Sequence, residues 1–595
     1  MVAAALGRSS VALPVLPSPP GLTAGADYAA RREAMAGAVE KLGEALGEAG
    51  SPGSDRAVAR AHKAGKDHAR ARIEAVLDQD SPFLELLPLA GLGLKDNIPG
   101  GANVAGIGLV AGVETMVIAG RATIKGGAID EASVRKGDRL AAIAAANRLP
   151  TITFVESGGA NLRQQFKVFH AGGASFRDIT RRSKAGIPSI AVVCGSCTAG
   201  GAYLPGMSDY VIMVKDNAKV FLAGPPLVKM ATGEVTTDDE LGGAVMHASV
   251  SGVADYLAED ELHGIALARS VMATVAYTKA TALPHSHLHA LPEPPLYNPH
   301  ELLGIVGTDL KASFDVRHVI ARIVDGSRFG AFKAAFGPTL VTGWASIHGI
   351  PVGIIANNGP LFSDAANKGA QFIQICNYRS IPLLFLQNIT GFMVGTAAEQ
   401  EGIIRHGAKL INAVSNSTVP AITVIIGASY GAGNYAMCGR AYEPRFLFAW
   451  PNSRVAVMGS EQLAGVMDIV VRASAARKGV AIDDDFLASQ KSKFIDQVED
   501  QSDCYYVSAH CLDDGIIDPR ETRNVVGMAL SATYSAPRAR LSSPEHLALE
   551  QHVLDLATQR FGLGHLALQH SLRHGNHTLV LLQCRRVVHP RHAHG

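Results

Sequence analysis

Two stretches of the chain run from an apolar segment into a turn too small to cover its own backbone. The first is IPSIAVVCGSCTAGGAY, residues 187–203, and the second is VPAITVIIGASYGAGNY, residues 419–435. Gly200 and Gly201 in the first, and Ala432 and Gly433 in the second, stand where the apolar run gives way to a helix start. The first N–H groups of a helix have no internal acceptor, and the helix dipole adds positive potential at that end. With almost no side chain in the way, such a turn can stabilise a developing oxyanion, for instance the enolate of a thioester. Two of them in one chain suggest two reaction partners that each pass through an enolate. The same residues would also suit close helix–strand packing, which is common in α/β proteins, and the motif alone gives the two readings equal weight. Neither turn is a G-x-S-x-G nucleophile elbow. No His/Asp or paired-carboxylate constellation offers a general base.

The elements around the turns repeat. Gly195 and Gly427 occupy matching points, which sets an offset of 427 − 195 = 232 between the two halves. "DSPFLEL" in the first half answers "DGSRFGAF" in the second, and Leu149-Pro-Thr-Ile-Thr-Phe-Val answers Ile381-Pro-Leu-Leu-Phe-Leu. Three pairs in one order indicate a domain duplication rather than a short-period solenoid. Several apolar runs lack alternation, as expected of strands covered on both faces. Residues 27–80 read as helical from apolar positions recurring at three and four. Residues 281–300 are proline-rich without apolar period and read as a linker. The expected organisation is a disordered tail over 1–26, an N-terminal domain over 27–280, the linker, a C-terminal domain over 301–537 and an atypical tail over 538–595.

Composition narrows the function classes. The chain has 595 residues and a net charge of +1, which gives no electrostatic case for nucleic acid or an anionic membrane. No apolar run is long enough to span a bilayer. Residues 1–25 hold a single basic residue, Arg8, and lack the form of a secretory signal. Seven cysteines spread over this length make no disulfide framework, so a cytoplasmic location is expected.

The longer motifs resemble the carboxyltransferase (β) subunits of biotin-dependent acyl-CoA carboxylases. In the first half these are "ESGGANL" (156–162), "GSCTAGGAY" (195–203), "FLAGPPLVKMATGE" (221–234), "LGGAVMH" (241–247) and "SGVADY" (251–256). In the second half they are "PLLFLQNITGFMVG" (382–395), "GASYGAGNYAMCGRAY" (427–442), "FAWPNSRVAVMG" (448–459) and "DDGIIDPRETR" (513–523). The resemblance covers roughly residues 60–536 and is nearest to the 3-methylcrotonyl-CoA carboxylase branch. It implies an α/β fold of two tandem crotonase-like domains, the first for acyl-CoA and the second for biotin. It also implies a mechanism. Carboxybiotin arrives on a partner subunit and releases CO2. The acyl-CoA gives up a proton to biotin, and its enolate attacks the CO2.

Carried over residue by residue, the amides of Gly200 and Gly201 would hold the thioester enolate oxygen. Those of Ala432 and Gly433 would hold the biotin ureido oxygen. Gly158, Gly159, Ala199, Tyr203, Gly224 and Lys229 are the expected surroundings of the acyl-CoA, and Gly391, Phe392, Tyr430, Gly431 and Tyr435 those of biotin. The resemblance implies no metal. It does imply a biotin carboxylase/biotin carrier (α) subunit as partner and a homo-hexamer of β subunits. The chain shows no biotin-attachment Met-Lys-Met and no ATP-binding signature, in keeping with that division of labour.

Single residues have plainer readings as well. Lys229 could lie near CoA phosphates or be a solvated lysine, and Lys368 and Lys409 share that ambiguity. Tyr430 and Tyr435 could line a pocket or pack in a core. Cys194 and Cys197 have the spacing of a metal or redox pair but follow a buried strand, so structural thiols are expected. His406 is expected to be packed or hydrogen-bonded rather than catalytic. Nine of the 22 histidines fall in 546–595 at spacings that form no known metal site. This His/Arg-rich tail departs from the family and is expected to be poorly ordered. A second departure, residues 163–185 around Phe176, lies where the family places its acyl pocket, so the acyl group stays open between 3-methylcrotonyl and propionyl, acetyl, geranyl or longer chains. A biotin-dependent decarboxylase and an inactive structural subunit are the competing readings.

Overall fold

The computed structural model describes residues 13–275, 277–279, 292–479 and 483–536. Its fifteen strands, numbered β1 to β15 in chain order, fall into two sheets. The first holds β1 (Leu84–Glu85), β2 (Asn103–Val110), β3 (Val113–Gly120), β4 (Thr151–Ser157), β5 (Ser189–Thr198), β6 (Tyr210–Val214), β7 (Lys219–Phe221) and β8 (Tyr256–Ala258). Its order is β1-β2-β3-β4-β5-β6-β8, with β7 continuing on the edge of β5. The second holds β9 (Gly330–Ala331), β10 (Leu340–Ile347), β11 (Ile350–Asn357), β12 (Leu383–Ile389), β13 (Ala421–Tyr430), β14 (Phe446–Ala449) and β15 (Arg454–Ala456), in the order β14-β13-β12-β11-β10-β9 with β15 on β13.

The duplication is visible strand by strand. Each sheet opens with an antiparallel hairpin, β2–β3 and β10–β11, and then turns parallel. Both hairpins close through two residues with positive φ, Ala111-Gly112 and His348-Gly349, the turn whose twist matches paired strands. β12 and β13 repeat β4 and β5 at the offset read from the sequence. The helices feeding them, Glu131–Ala146 and Ser363–Tyr378, share that offset. Even an irregularity is copied: the register shifts between Val155 and Ser157 in one sheet and between Gln387 and Ile389 in the other. β5 and β13 are apolar and buried almost throughout, as parallel strands covered on both faces must be.

The two sheets share a core. Leu84, Leu86, Ile107 and Leu140 of the first half pack in one cluster with Val352, Leu384, Phe446 and Trp450 of the second. A buried ionic clasp crosses the same boundary. Arg139 donates two hydrogen bonds to Asp514, at 2.7 and 2.8 Å, and Arg440 a third at 2.8 Å. Burial works to raise the Asp514 carboxyl, but the two arginines outweigh it and hold the group below its usual range.

The described part of the N-terminal tail corrects the expectation of disorder over 1–26. Val15 bridges to Arg328, Leu16 is buried and its amide donates to Ser327 O, and Tyr297 Oη donates to Leu16 O. The Pro-rich segment lacks apolar period but supplies one buried leucine and an extended backbone that adds to an existing edge. The helix Ala26–Gly50, read as part of the first half, packs against the helix Leu302–Val306 after the linker. A Cβ at Gly304 would meet the Tyr28 ring at 2.3 Å, so glycine there is a condition of the contact. Residues 1–12, 281–291 of the linker and the 538–595 tail lie outside the described residues.

Candidate functional site

β5 ends at Thr198, and a 3-10 turn, Ala199–Ala202, leads into the short helix Tyr203–Gly206. Ala199 takes φ 53°, which turns the chain off the strand and leaves Gly200 exposed and Gly201 half-buried. Gly200 is the second residue of this 3-10 turn, a position whose N–H has no acceptor within the turn. The space in front of them is open: a Cβ on Gly200 would find only the Phe176 ring, at 3.6 Å. Phe176 meets Tyr203 edge to face, with centroids 5.8 Å apart. A small-residue helix start beside an aromatic wall is an arrangement that could accept an oxyanion attached to an apolar group.

Beneath this turn lies Cys197, whose thiol donates to the Gly201 carbonyl at 2.9 Å. Burial pushes this thiol up to about 12, so it stays neutral and serves as a donor rather than a nucleophile. Cys194, also pushed up to about 12 by burial, is equally inert. Both thiols are packed as structural ones, and among the described residues no cluster could hold a metal ion. Gly158 and Gly159 close the neighbouring β4 end. Their amides are already used, by Gly126 O and Ser157 Oγ, so they shape the rim rather than donate to a ligand. Phe221 on β7 pairs with Thr198, and Gly224 caps the helix Pro225–Thr232 just beyond, with Lys229 exposed on it.

The second turn repeats the plan. β13 ends at Tyr430, Gly431 takes φ 57° and ψ −149° with its amide bonded to Ala456 O, and the helix Ala432–Ala436 begins. Ala432 and Gly433 are the first two residues of this helix, so their amides have no acceptor within it. Ala432 is exposed and Gly433 buried. Gly391 lies directly behind: a Cβ on Gly433 would come within 2.5 Å of Ile389 Cγ1 and 3.3 Å of Gly391 Cα. Phe392 packs instead under the helix Ile403–Ser415, against Gly407. Tyr430 is half-buried, and burial with help from Glu499 raises its phenol above the ordinary range. Tyr435 is exposed beside Tyr442, at a centroid distance of 5.7 Å.

Other residues are settled by their contacts. Lys368 is buried and its ammonium donates to the carbonyls of Lys333, Phe336 and Gly337, which makes it a brace for that loop. Lys136, its counterpart in the first half, does the same for Gly100 O and Asn103 O, and burial lowers it to about 8. His406 Nδ1 lies 3.0 Å from Asn367 Oδ1, in line with a packed histidine, and Lys409 sits beside it.

Sequence reading passed over Glu156 and Asn388, which stand at equivalent places. A Cβ on Gly195 would collide with Glu156 at 2.4 Å, and one on Gly427 with Asn388 at 2.5 Å. The matched glycines therefore exist to let a polar side chain cross the strand under each turn. Glu156 is held there by Lys66 at 2.8 Å and by Arg72 at 3.2 Å, and Arg72 also binds Glu261. The signal available in the sequence was that Glu156 and Asn388 are separated by the same offset as Gly195 and Gly427.

Two mixed sheets, each ending a buried parallel strand in a turn of small residues at a helix start, define a tandem crotonase-like carboxyltransferase. Residues 60–548 match the carboxyl transferase domain family, and the chain belongs to it. It is 52% identical to a probable biotin-dependent acyl-coenzyme A carboxylase beta2 subunit of Mycobacterium tuberculosis, over 84% of this chain and 94% of that one. It is 49% identical to a mitochondrial methylcrotonoyl-CoA carboxylase beta chain of Dictyostelium discoideum, over 80% and 81%. The solved beta subunit of P. aeruginosa geranyl-CoA carboxylase shares the fold at a TM-score of 0.80 with 43% identity, covering 89% of this chain and 99% of that one.

Proposed function

We propose that this chain is the β subunit of a biotin-dependent acyl-CoA carboxylase, moving a carboxyl group from carboxybiotin on a partner subunit to an acyl-CoA. The observation that carries this reading is the pair of turns built on one plan, each placing small residues at a helix start directly after a buried strand. Biotin supplies the activated carboxyl group and a basic ureido nitrogen once that group has left. The chain's own part is electrostatic. Gly200 and Gly201 face the thioester oxygen as it gains charge, and Ala432 and Gly433 face the ureido oxygen. The side chains named at the two turns are apolar or aromatic, which fits a reaction in which the proton moves between the two substrates.

Phe176 and Tyr203 border the first turn and favour an apolar acyl group, so 3-methylcrotonyl-CoA or a related acyl-CoA is the substrate class. The exposed Lys229, on the helix that Gly224 caps, is proposed to meet the CoA phosphates. An ATP-, bicarbonate- and acyl-CoA-dependent assay with the biotin-carrying α subunit tests this, using 3-methylcrotonyl-, geranyl-, propionyl- and acetyl-CoA. Incorporation into one branched acyl-CoA is the expected result. No incorporation into any ester, with a competent α subunit, would overturn the reading.

The turns stand on different sheets, and the complementary turn is proposed to come from a second copy of the chain within a hexamer. Exposed apolar side chains in both halves support this: Leu162, Phe166 and Phe169 in the first, and Val466, Ile469 and Val470 in the second. Patches of this kind on a folded chain commonly mark an interface. Light scattering on the active enzyme checks it, and an active monomer would rule it out. The six described cysteines are all unpaired, which supports a reducing compartment such as the cytoplasm. No helix among the described residues is long and apolar enough to cross a membrane.

A further inference from the structure

The two turns rest on different foundations. Under the second, Gln387 on β12 is completely buried. Its Nε2 donates to Met437 O at 2.7 Å, at the far end of the helix Ala432–Ala436. Its Oε1 accepts from Ser429 Oγ at 2.6 Å, and Ser429 Oγ accepts in turn from Asn434 Nδ2 at 2.8 Å. A carbonyl can only accept, so Met437 O dictates that Gln387 presents its amide nitrogen there and its oxygen to Ser429. The serine hydroxyl must then donate to Gln387 and receive from Asn434. The chain of bonds has one direction, and in a dry interior each member polarises the next. Asn434 is the third residue of the helix and follows directly on Gly433, so the network grips the helix at its middle and at its C-cap.

The residues at the matching positions of the first half are Val155, Cys197 and Ala202, which pack together in one apolar cluster beneath the first turn, with the Cys197 thiol bond to Gly201 O as their one polar side-chain link to it among the described residues. Nothing in the backbone plan demands the difference, because β4 and β12, β5 and β13 and the register shifts between them are equivalent. An apolar cluster fills space but allows small sliding, whereas a directional polar chain holds one geometry.

We infer that Gln387, Ser429 and Asn434 are positioning residues that hold the Ala432–Gly433 amides in place for the ureido oxygen. This rests on the proposed carboxyltransferase reading, and it adds that the biotin-side turn is the rigid member of the pair. None of the three need touch a substrate, since they act through the helix that begins at Ala432. A misplacement of the order of 1 Å in such a cradle lowers turnover by about a hundredfold.

The test uses the full chain with its biotin-carrying partner. One variant, Gln387→Val/Ser429→Cys/Asn434→Ala, rebuilds the second foundation with the residues of the first. A milder one, Ser429→Ala, removes only the central link and serves if the triple variant does not fold. Two readouts are taken: kcat and KM for 3-methylcrotonyl-CoA, and amide hydrogen exchange of peptides spanning 427–437 and 195–206. The expected result is a kcat lower by about ten- to a hundredfold with KM for the acyl-CoA unchanged, since only the biotin-side geometry is disturbed. Exchange should rise in 427–437 alone, as local opening becomes easier. Wild-type-like kcat in a folded variant, or exchange unchanged in 427–437, overturns the inference. Faster exchange in an enzyme whose wild type transfers no carboxyl group would instead count against the carboxyltransferase reading and leave the bracing intact.

Discussion

The turn at Gly200–Gly201 and the turn at Ala432–Gly433 share one spacing and one strand arrangement, yet they tolerate change differently. Around Gly201 there is room: the nearest atoms to an added Cβ are Cys197 Sγ at 3.6 Å and Ser157 Cβ at 4.0 Å. Around Gly433 there is none, because Ile389 and Gly391 close in from β12 and the loop after it. The first turn is underlain by apolar side chains and the second by the Gln387–Ser429–Asn434 chain. Duplication preserved the backbone device, and the support beneath it diverged.

The comparison presumes that both frames belong to one body, and the Asp514 clasp is where that can be broken most forcefully. Asp514→Ala should cost about 3–5 kcal/mol, because it leaves Arg139 and Arg440 without their buried anion. Equilibrium urea denaturation measures it. A loss well under about 1 kcal/mol would mean the clasp does not fasten the halves together. Next comes function at the roomier turn. Gly201→Val should lower kcat by about 10²–10³, equivalent to ~2.7–4 kcal/mol of transition-state stabilisation. The melting temperature should barely change, since the site has space for the side chain. A kcat near wild type would reduce the turn to a packing device.

Stability at the tighter turn follows. Gly433→Ala should destabilise by about 1–3 kcal/mol through overpacking. Gly201→Ala should stay within about 0.5 kcal/mol. Calorimetry on the two alanine variants compares them directly, and equal melting temperatures would erase the asymmetry. The smallest effect is expected from Cys197→Ser. The hydroxyl can keep the bond to Gly201 O, so stability should fall by no more than about 1 kcal/mol, with turnover kept. A large loss of rate would show that the first turn is as exactingly held as the second.

Much of this was legible before any coordinates. The repeat, its constant offset, the small residues at both turns and the family motifs lie in contiguous segments, and local chemistry dictates their form. Strand–turn–helix units with unpartnered amides follow from apolar runs that end in Gly and Ala, because the hydrogen-bond deficit of a helix start is a property of the backbone itself. The structural roles of Cys197 and His406 were also within reach, since an isolated thiol after a buried strand and a lone histidine rarely do chemistry.

What only the tertiary structure decided is which distant residues meet. No local pattern says that Leu16 adds to an edge near Arg328, that the helix Ala26–Gly50 packs beyond the linker, or that Lys136 and Lys368 both brace loops through backbone carbonyls. Glu156 and Asn388 looked unremarkable until Gly195 and Gly427 were seen to make way for them. The Gln387–Ser429–Asn434 chain joins residues from β12, β13 and a helix, and its direction is set by a fourth group, the Met437 carbonyl. Such assemblies depend on packing in three dimensions. A sequence read by period and motif records each member, but the partner that gives it meaning lies far away along the chain.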